Sequence, residues 1–138
     1  MTPLVVDASL TAAWCFDDEE TQYARDILSR AEQLDSFVPA IWPVEMVNVL
    51  LVNERRRRIT AADTARAVTL FNELAIHVDR PPSLQPFDAT LLLARAYSLS
   101  SYDASYLELA LREGLPLATL DAQMRDAASA AGVQLYAR

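Results

Sequence analysis

Residues 4–9 read LVVDAS, and residues 117–122 read LATLDA. In each, a short run of continuously apolar residues ends in an aspartate, Asp7 in the first and Asp121 in the second. Continuous apolarity, rather than alternation, marks a strand buried on both faces, as in a parallel sheet. A carboxylate at the end of such a run is expensive to bury unless something neutralises it. Two further acids, Glu45 in PVEMVNVLL and Asp103 in SYDASYLELA, stand at the starts of helical patterns.

Outward from these stretches, strands and helices alternate. Ser9 is expected to cap a short helix through Trp14, and residues 19–34 carry Tyr23, Ile27, Leu28, Ala31 and Leu34 at helical spacing. Phe37-Val38 reads as a second strand, stopped by Pro39. Pro43 suits the first turn of a helix that runs to an arginine cluster. Thr60 and Asp63 have capping-box spacing for a helix to about Leu74. Ile76-His77-Val78 is a third strand candidate, Pro81-Pro82 breaks the chain, and a helix spans about Phe87 to Tyr97. Asp103 opens a helix ended by Gly114. Leu117–Leu120 reads as a strand, a helix runs from Asp121 to near Gly132, and Val133–Tyr136 reads as the last strand. The expected fold is α/β: three layers, α/β/α, around a central, mainly parallel sheet of about four or five short strands.

The chain has 138 residues, enough for one domain with a sizeable core, and residues 1–138 are read as a single domain. With only 2 glycines there is no GxGxxG and no GxxxxGK[ST] phosphate cradle. The lone Cys15 makes no internal disulfide and lacks partners for a zinc site. No basic n-region, long apolar leader or spanning segment is present, so the expected location is the cytoplasm, with no membrane partner.

Net charge is −7, and all 12 cations are arginine. The sequence pI of about 4.6 argues against casual nucleic-acid affinity. Carboxylates in a metal site count in that sum yet are neutralised by the ion. Arg55–Arg58 concentrate positive charge locally; a solvated helix end and a contact to RNA or an acidic partner are both open readings.

In an open α/β sheet the site lies beyond the carboxyl ends of the strands. Asp7 and Asp121 directly follow strands, and Glu45 and Asp103 lie in the first turns of helices, whose N-termini in such folds commonly face the same crevice, so the four are expected to converge. Taken singly each has an ordinary explanation, a helix cap or a complement to the helix dipole. Taken together they form a hard, oxygen-only donor set without His or Cys, which suits Mg²⁺ or Mn²⁺ and phosphodiester hydrolysis. His77, the single histidine, sits in an apolar strand and is read as structural or surface, so a Ser–His–Asp or histidine acid–base mechanism has no parts. An aspartyl-phosphate enzyme fails on the absence of Lys.

The ordered set LVVDAS, PVEMVNVL, SYDASYLELA and LATLDAQM resembles the acidic motifs of PIN domains, and most of all those of the VapC-type toxins of toxin–antitoxin pairs. The resemblance covers essentially the whole chain. It implies a Mg²⁺- or Mn²⁺-dependent endoribonuclease that cuts tRNA or ribosomal RNA, a homodimer, and a cognate antitoxin protein. Residue by residue it puts Asp7, Glu45, Asp103 and Asp121 in the catalytic and metal positions, with Thr119 as the hydroxyl of Thr-x-Asp and Ser9 and Asn48 as supporting polar groups. Asp126 is a further acid on the last helix and is not taken as a ligand. The low pI departs from the pattern of an RNA binder, whereas the run Asp17, Asp18, Glu19 and Glu20 suits a basic antitoxin segment. A PIN nuclease of RNA processing without an antitoxin, and a degenerate PIN-like binding module, are the alternatives.

Overall fold

The computed structural model describes residues 1–16, 21–80 and 87–137. Its centre is a parallel sheet of four strands in the order β3-β2-β1-β4. β1 is Thr2–Val6, β2 Leu34–Val38, β3 Ile76–Val78 and β4 Leu117–Ala118. The helices are α1 (Ala8–Ala13), α2 (Gln22–Ser29), α3 (Trp42–Arg55), α4 (Ala61–Glu73), α5 (Phe87–Tyr97), α6 (Ser101–Glu113) and α7 (Ala122–Ala130). They flank the sheet, giving the expected α/β/α layering.

β1 is the middle of the structure. It pairs with β2 through Thr2↔Leu34 to Val5↔Phe37 and with β4 through Val5↔Leu117 and Val6↔Ala118. Leu4, Val5 and Val6 are fully buried, which is what a continuously apolar strand covered on both faces requires. Leu10, Tyr106, Leu107, Leu109, Leu117 and Met124 close the core around it. Trp42 packs edge-on to Phe71 with centroids 5.2 Å apart, and its Nε1 donates to Thr11 Oγ1 at 2.9 Å, satisfying a buried hydroxyl.

Local chemistry fixes the helix ends. Pro43 occupies the first turn of α3. Thr60 and Asp63 form the reciprocal capping box. Gly114 ends α6 in the left-handed conformation, φ 65°, where a Cβ would be strained.

Four expectations change. Ser9 does not cap α1: Asp7 does, its side chain accepting from Leu10 N–H, and Ser9 lies inside the first turn. Of the helix expected over 19–34, the described residues, which begin at Thr21, form α2, followed by a 3₁₀ turn at Ala31–Gln33. Leu34 instead opens β2, because its ladder to β1 outweighs the helical spacing of its apolar neighbours. The strand expected over 117–120 stops at Ala118, where Thr119 turns its hydroxyl to side-chain and cap partners. Val133–Tyr136 contributes a single parallel bridge, Leu117↔Leu135, rather than a strand. Pro81-Pro82 and Asp17–Glu20 lie outside the described residues.

Candidate functional site

The strand order reverses direction between β1 and β4, since β2 and β3 lie on one side of β1 and β4 on the other. A crevice opens at the carboxyl end of such a switch point. Asp7 and Thr119 are the residues that leave the two strands there.

Asp7 is 3% exposed and its carboxylate is fully engaged. Oδ1 accepts from Ser9 Oγ at 2.7 Å and from Leu10 N–H at 3.1 Å, and Oδ2 accepts a short hydrogen bond from Thr119 Oγ1. Thr119 Oγ1 accepts in turn from Asp121 N–H at 3.0 Å, and Ser9 Oγ accepts from Leu120 N–H at 3.1 Å. Two hydroxyls thus tie the end of β1 to the turn after β4. Burial nevertheless pushes the Asp7 carboxyl up from 3.8 to about 6; the hydrogen bonds of Thr119, Ser9 and Leu10 pull the other way, and the charge of Asp103 adds to the rise.

The other acids arrive on helix ends. Glu45 lies in the first turn of α3 and Asp103 in the first turn of α6, where Ser100 Oγ caps the Asp103 N–H at 3.1 Å. Asp121 is the N-cap of α7, its side chain accepting from Gln123 N–H at 3.0 Å. Glu45 is half-buried; burial raises its pKa, Tyr106 opposes that, and Asp103 reinforces it. Burial raises Asp103 as well, and the charge of Asp121 adds to it. All four acids are therefore linked electrostatically, with Asp103 as the common neighbour. Among the described residues no Arg or His forms an ion pair with any of them.

Tyr106 belongs to this cluster and was missed in the sequence. Its hydroxyl donates to Glu45 Oε1 at 2.7 Å, and burial, then the Glu45 hydrogen bond and the acidic charges, drive its own pKa well above the usual tyrosine range. The available signal was its place one turn after Asp103 on the same helix face, which also reads as ordinary core. Asn48 is exposed on α3, one turn beyond Glu45. His77 is exposed on the edge strand β3, 3.1 Å from Asp35 Oδ1 and stacked near Phe37, remote in role from the acids. Asp126 is exposed on α7. In the Arg55–Arg58 run, Arg58 lies over the Phe16 ring and donates to Asn53 Oδ1 at 2.7 Å, which makes it part of the α3 terminus.

The donor set fits a hard divalent cation in ligand type and charge: oxygen only, surplus negative charge, and a buried carboxylate without a cation. It is not a ready-made cage. Among the described residues no three acidic, His or Cys side chains stand together as ion ligands; the Asp7 carboxylate is held by the hydroxyls and that of Glu45 by Tyr106.

Comparison with known proteins shows the family. Residues 4–130 match the PIN-domain family. The chain is 35% identical over 127 residues to the VapC ribonuclease Mb0985 of Mycobacterium bovis, covering 92% of each. It is 28% identical over 127 residues to ribonuclease VapC3 of Pyrobaculum aerophilum, covering 89% of this chain and 92% of the relative. The crystal structure of PAE2754 from Pyrobaculum aerophilum superposes with a TM-score of 0.67 at 24% identity, over 91% of this chain and 79% of that one, and shows the shared fold. The chain belongs to the PIN-domain family, as one of its VapC-type members.

Proposed function

We propose that this protein is a metal-dependent endoribonuclease, the toxin of a type II toxin–antitoxin pair, with its whole length, residues 1–138, forming one PIN domain. The observation that carries the proposal is the buried carboxylate of Asp7 at the β1/β4 switch, without a cation partner among the described residues and within the electrostatic reach of Asp103, which also acts on Glu45 and feels Asp121. The ribonuclease names of the VapC relatives supply the substrate class. The substrate is RNA, of the tRNA or ribosomal class.

Asp7, Glu45, Asp103 and Asp121 would hold Mg²⁺ or Mn²⁺. An ion held there would supply an activated water and offset charge on the phosphate. Thr119 and Ser9 orient the Asp7 carboxylate, and Tyr106 orients that of Glu45. Asp7 must be ionised to hold the ion, and its burial opposes that, so a proton competes with the metal for this carboxylate. Asn48 is placed to support substrate or solvent one turn from Glu45.

The protein is proposed to act in the cytoplasm as a homodimer restrained by an antitoxin. No described helix is long and apolar enough to cross a membrane. Val44, Val47 and Leu51 expose an apolar stripe on α3, and Phe87, Leu91 and Leu92 do so on α5, surfaces that suit a protein partner.

The test is Mn²⁺ calorimetry on wild type and Asp7→Asn beside cleavage of total RNA. Binding and cleavage that both disappear in the variant are the expected result. Cleavage that persists in EDTA or in the variant removes the metal mechanism.

A further inference from the structure

Beside the acids lies a cleft that the proposed chemistry leaves unused. Its volume is about 290 Å³, and Tyr23, Thr119, Arg125, Leu135, Tyr136 and Ala137 line it. The sheet register explains its position. Leu135 bridges Leu117 in parallel, so the chain that continues to Tyr136 and Ala137 emerges at the same sheet edge as Thr119. Thr119 is shared by both places: its hydroxyl meets Asp7 and its carbonyl accepts from Arg125 Nη2 at 3.4 Å.

The C-terminal segment is held against α2 by its backbone, since Tyr23 Oη donates to the Tyr136 carbonyl at 2.7 Å. Arg30 Nη1 donates to Tyr136 Oη at 3.4 Å, which leaves the phenolic hydrogen of Tyr136 available. Both arginine contacts are long, and each guanidinium has five N–H donors. Neither Arg30 nor Arg125 forms an ion pair among the described residues. In a chain of net charge −7, Arg125 in the cleft wall, with Arg30 reaching the hydroxyl of the lining Tyr136, makes a local site for an anion. A guanidinium matches a phosphate in a forked geometry, and a tyrosine ring stacks on any base. A guanidinium and a phenol ring lining one cleft suit a nucleic-acid strand, which carries both phosphate and base, better than an acidic peptide, which has no use for the rings.

We infer that this cleft seats an RNA nucleotide next to the scissile phosphate, with Arg125 on a backbone phosphate and Tyr136, held by Arg30, against a base. The inference rests on the nuclease reading. It makes Arg125 and Tyr136 binding residues that admit a single strand to an otherwise repellent acidic site.

The experiment is steady-state cleavage, with Mn²⁺, of a short fluorescein-labelled single-stranded RNA of mixed sequence, and anisotropy titration of the same RNA over a range of salt. Arg125→Gln and Tyr136→Leu are compared with Arg66→Gln, which removes an equal charge from α4. The expected result is a roughly tenfold higher KM for either cleft variant with kcat kept. Arg125→Gln should also lower the salt slope by about one, and Arg66→Gln should match wild type. Arg125 is exposed, so its variant carries the test even if Tyr136→Leu folds poorly. A wild type that cuts while Arg125→Gln cuts with unchanged KM and salt slope overturns the cleft alone. So does an Arg125→Gln that loses only binding to a polyglutamate peptide. A wild type that neither binds nor cuts RNA overturns the nuclease reading and the cleft together.

Discussion

Asp7 and Asp63 are the same residue at the starts of two helices, α1 and α4, and their surroundings set them to opposite tasks. Asp63 closes the capping box with the Thr60 backbone N–H at 2.8 Å, in solvent beside Arg66, and those contacts hold its pKa below the usual value, the Thr60 hydrogen bonds first. Its charge supports the fold at neutral pH, and that support fades as acid protonates it. Asp7 also accepts a helix-start N–H, yet it is buried without a cation, and burial lifts its pKa to about 6. Its charge opposes the metal-free fold. Helix-start chemistry is common to both; desolvation decides which charge supports the fold and which opposes it.

The largest way to break this contrast is Asp7→Asn in the presence of Mn²⁺. Cleavage should fall on the order of a thousandfold, since several kcal/mol of charge stabilisation go with the ion. EDTA should do the same to wild type, and undiminished turnover in either case would end the comparison.

The same variant, stripped of metal, should be the more stable protein. A carboxyl raised from 3.8 to about 6 binds more protons folded than unfolded, so stability declines as pH rises between those values and the loss is complete above about 6. Asp7→Asn should therefore gain up to roughly 3 kcal/mol over wild type at pH 7.5 in urea melts, with the gain vanishing near pH 4. A gain that is constant across pH would remove burial as the cause. Mn²⁺ affinity of wild type should weaken as pH drops through about 6, with proton release on binding visible in calorimetry when buffers are varied.

Glu45 sharpens the contrast from between the two extremes. Tyr106→Phe removes the donor to Glu45 Oε1 and should cost about 1 kcal/mol of stability. It should also raise the pH at which cleavage sets in, because Tyr106 now lowers the Glu45 pKa. An unshifted pH profile would make Tyr106 merely a core residue. The smallest effect is expected at the other pole: Thr60→Ala should lower stability by up to about 1 kcal/mol and leave cleavage unchanged.

Much of this was legible in the sequence. The apolar run Leu4–Val6 announces a buried parallel strand, the Thr60–Asp63 spacing its capping box, and Pro43 and Gly114 their helix ends, because each depends on near neighbours in the chain. The acids could be selected for the same reason: Asp7 and Asp121 interrupt apolar runs, an anomaly visible without coordinates. The ends of elements were less legible. Helical spacing over 19–34 concealed a strand at Leu34, and Leu117–Leu120 shrank to two residues, since pairing with β1 depends on partners far away in sequence.

The sequence by itself determined the α/β class and the family resemblance and nominated the four acids, all from local patterns. Tertiary structure alone decided which hydroxyl holds which carboxylate, that Tyr106 reaches Glu45 across 61 positions, and that Arg125 and Tyr136 flank Thr119. It also decided that Asp7 carries a raised pKa while Asp63 carries a lowered one. Composition is blind to that difference, because a carboxylate's energy depends on the water and charge around it, and only the folded chain sets both.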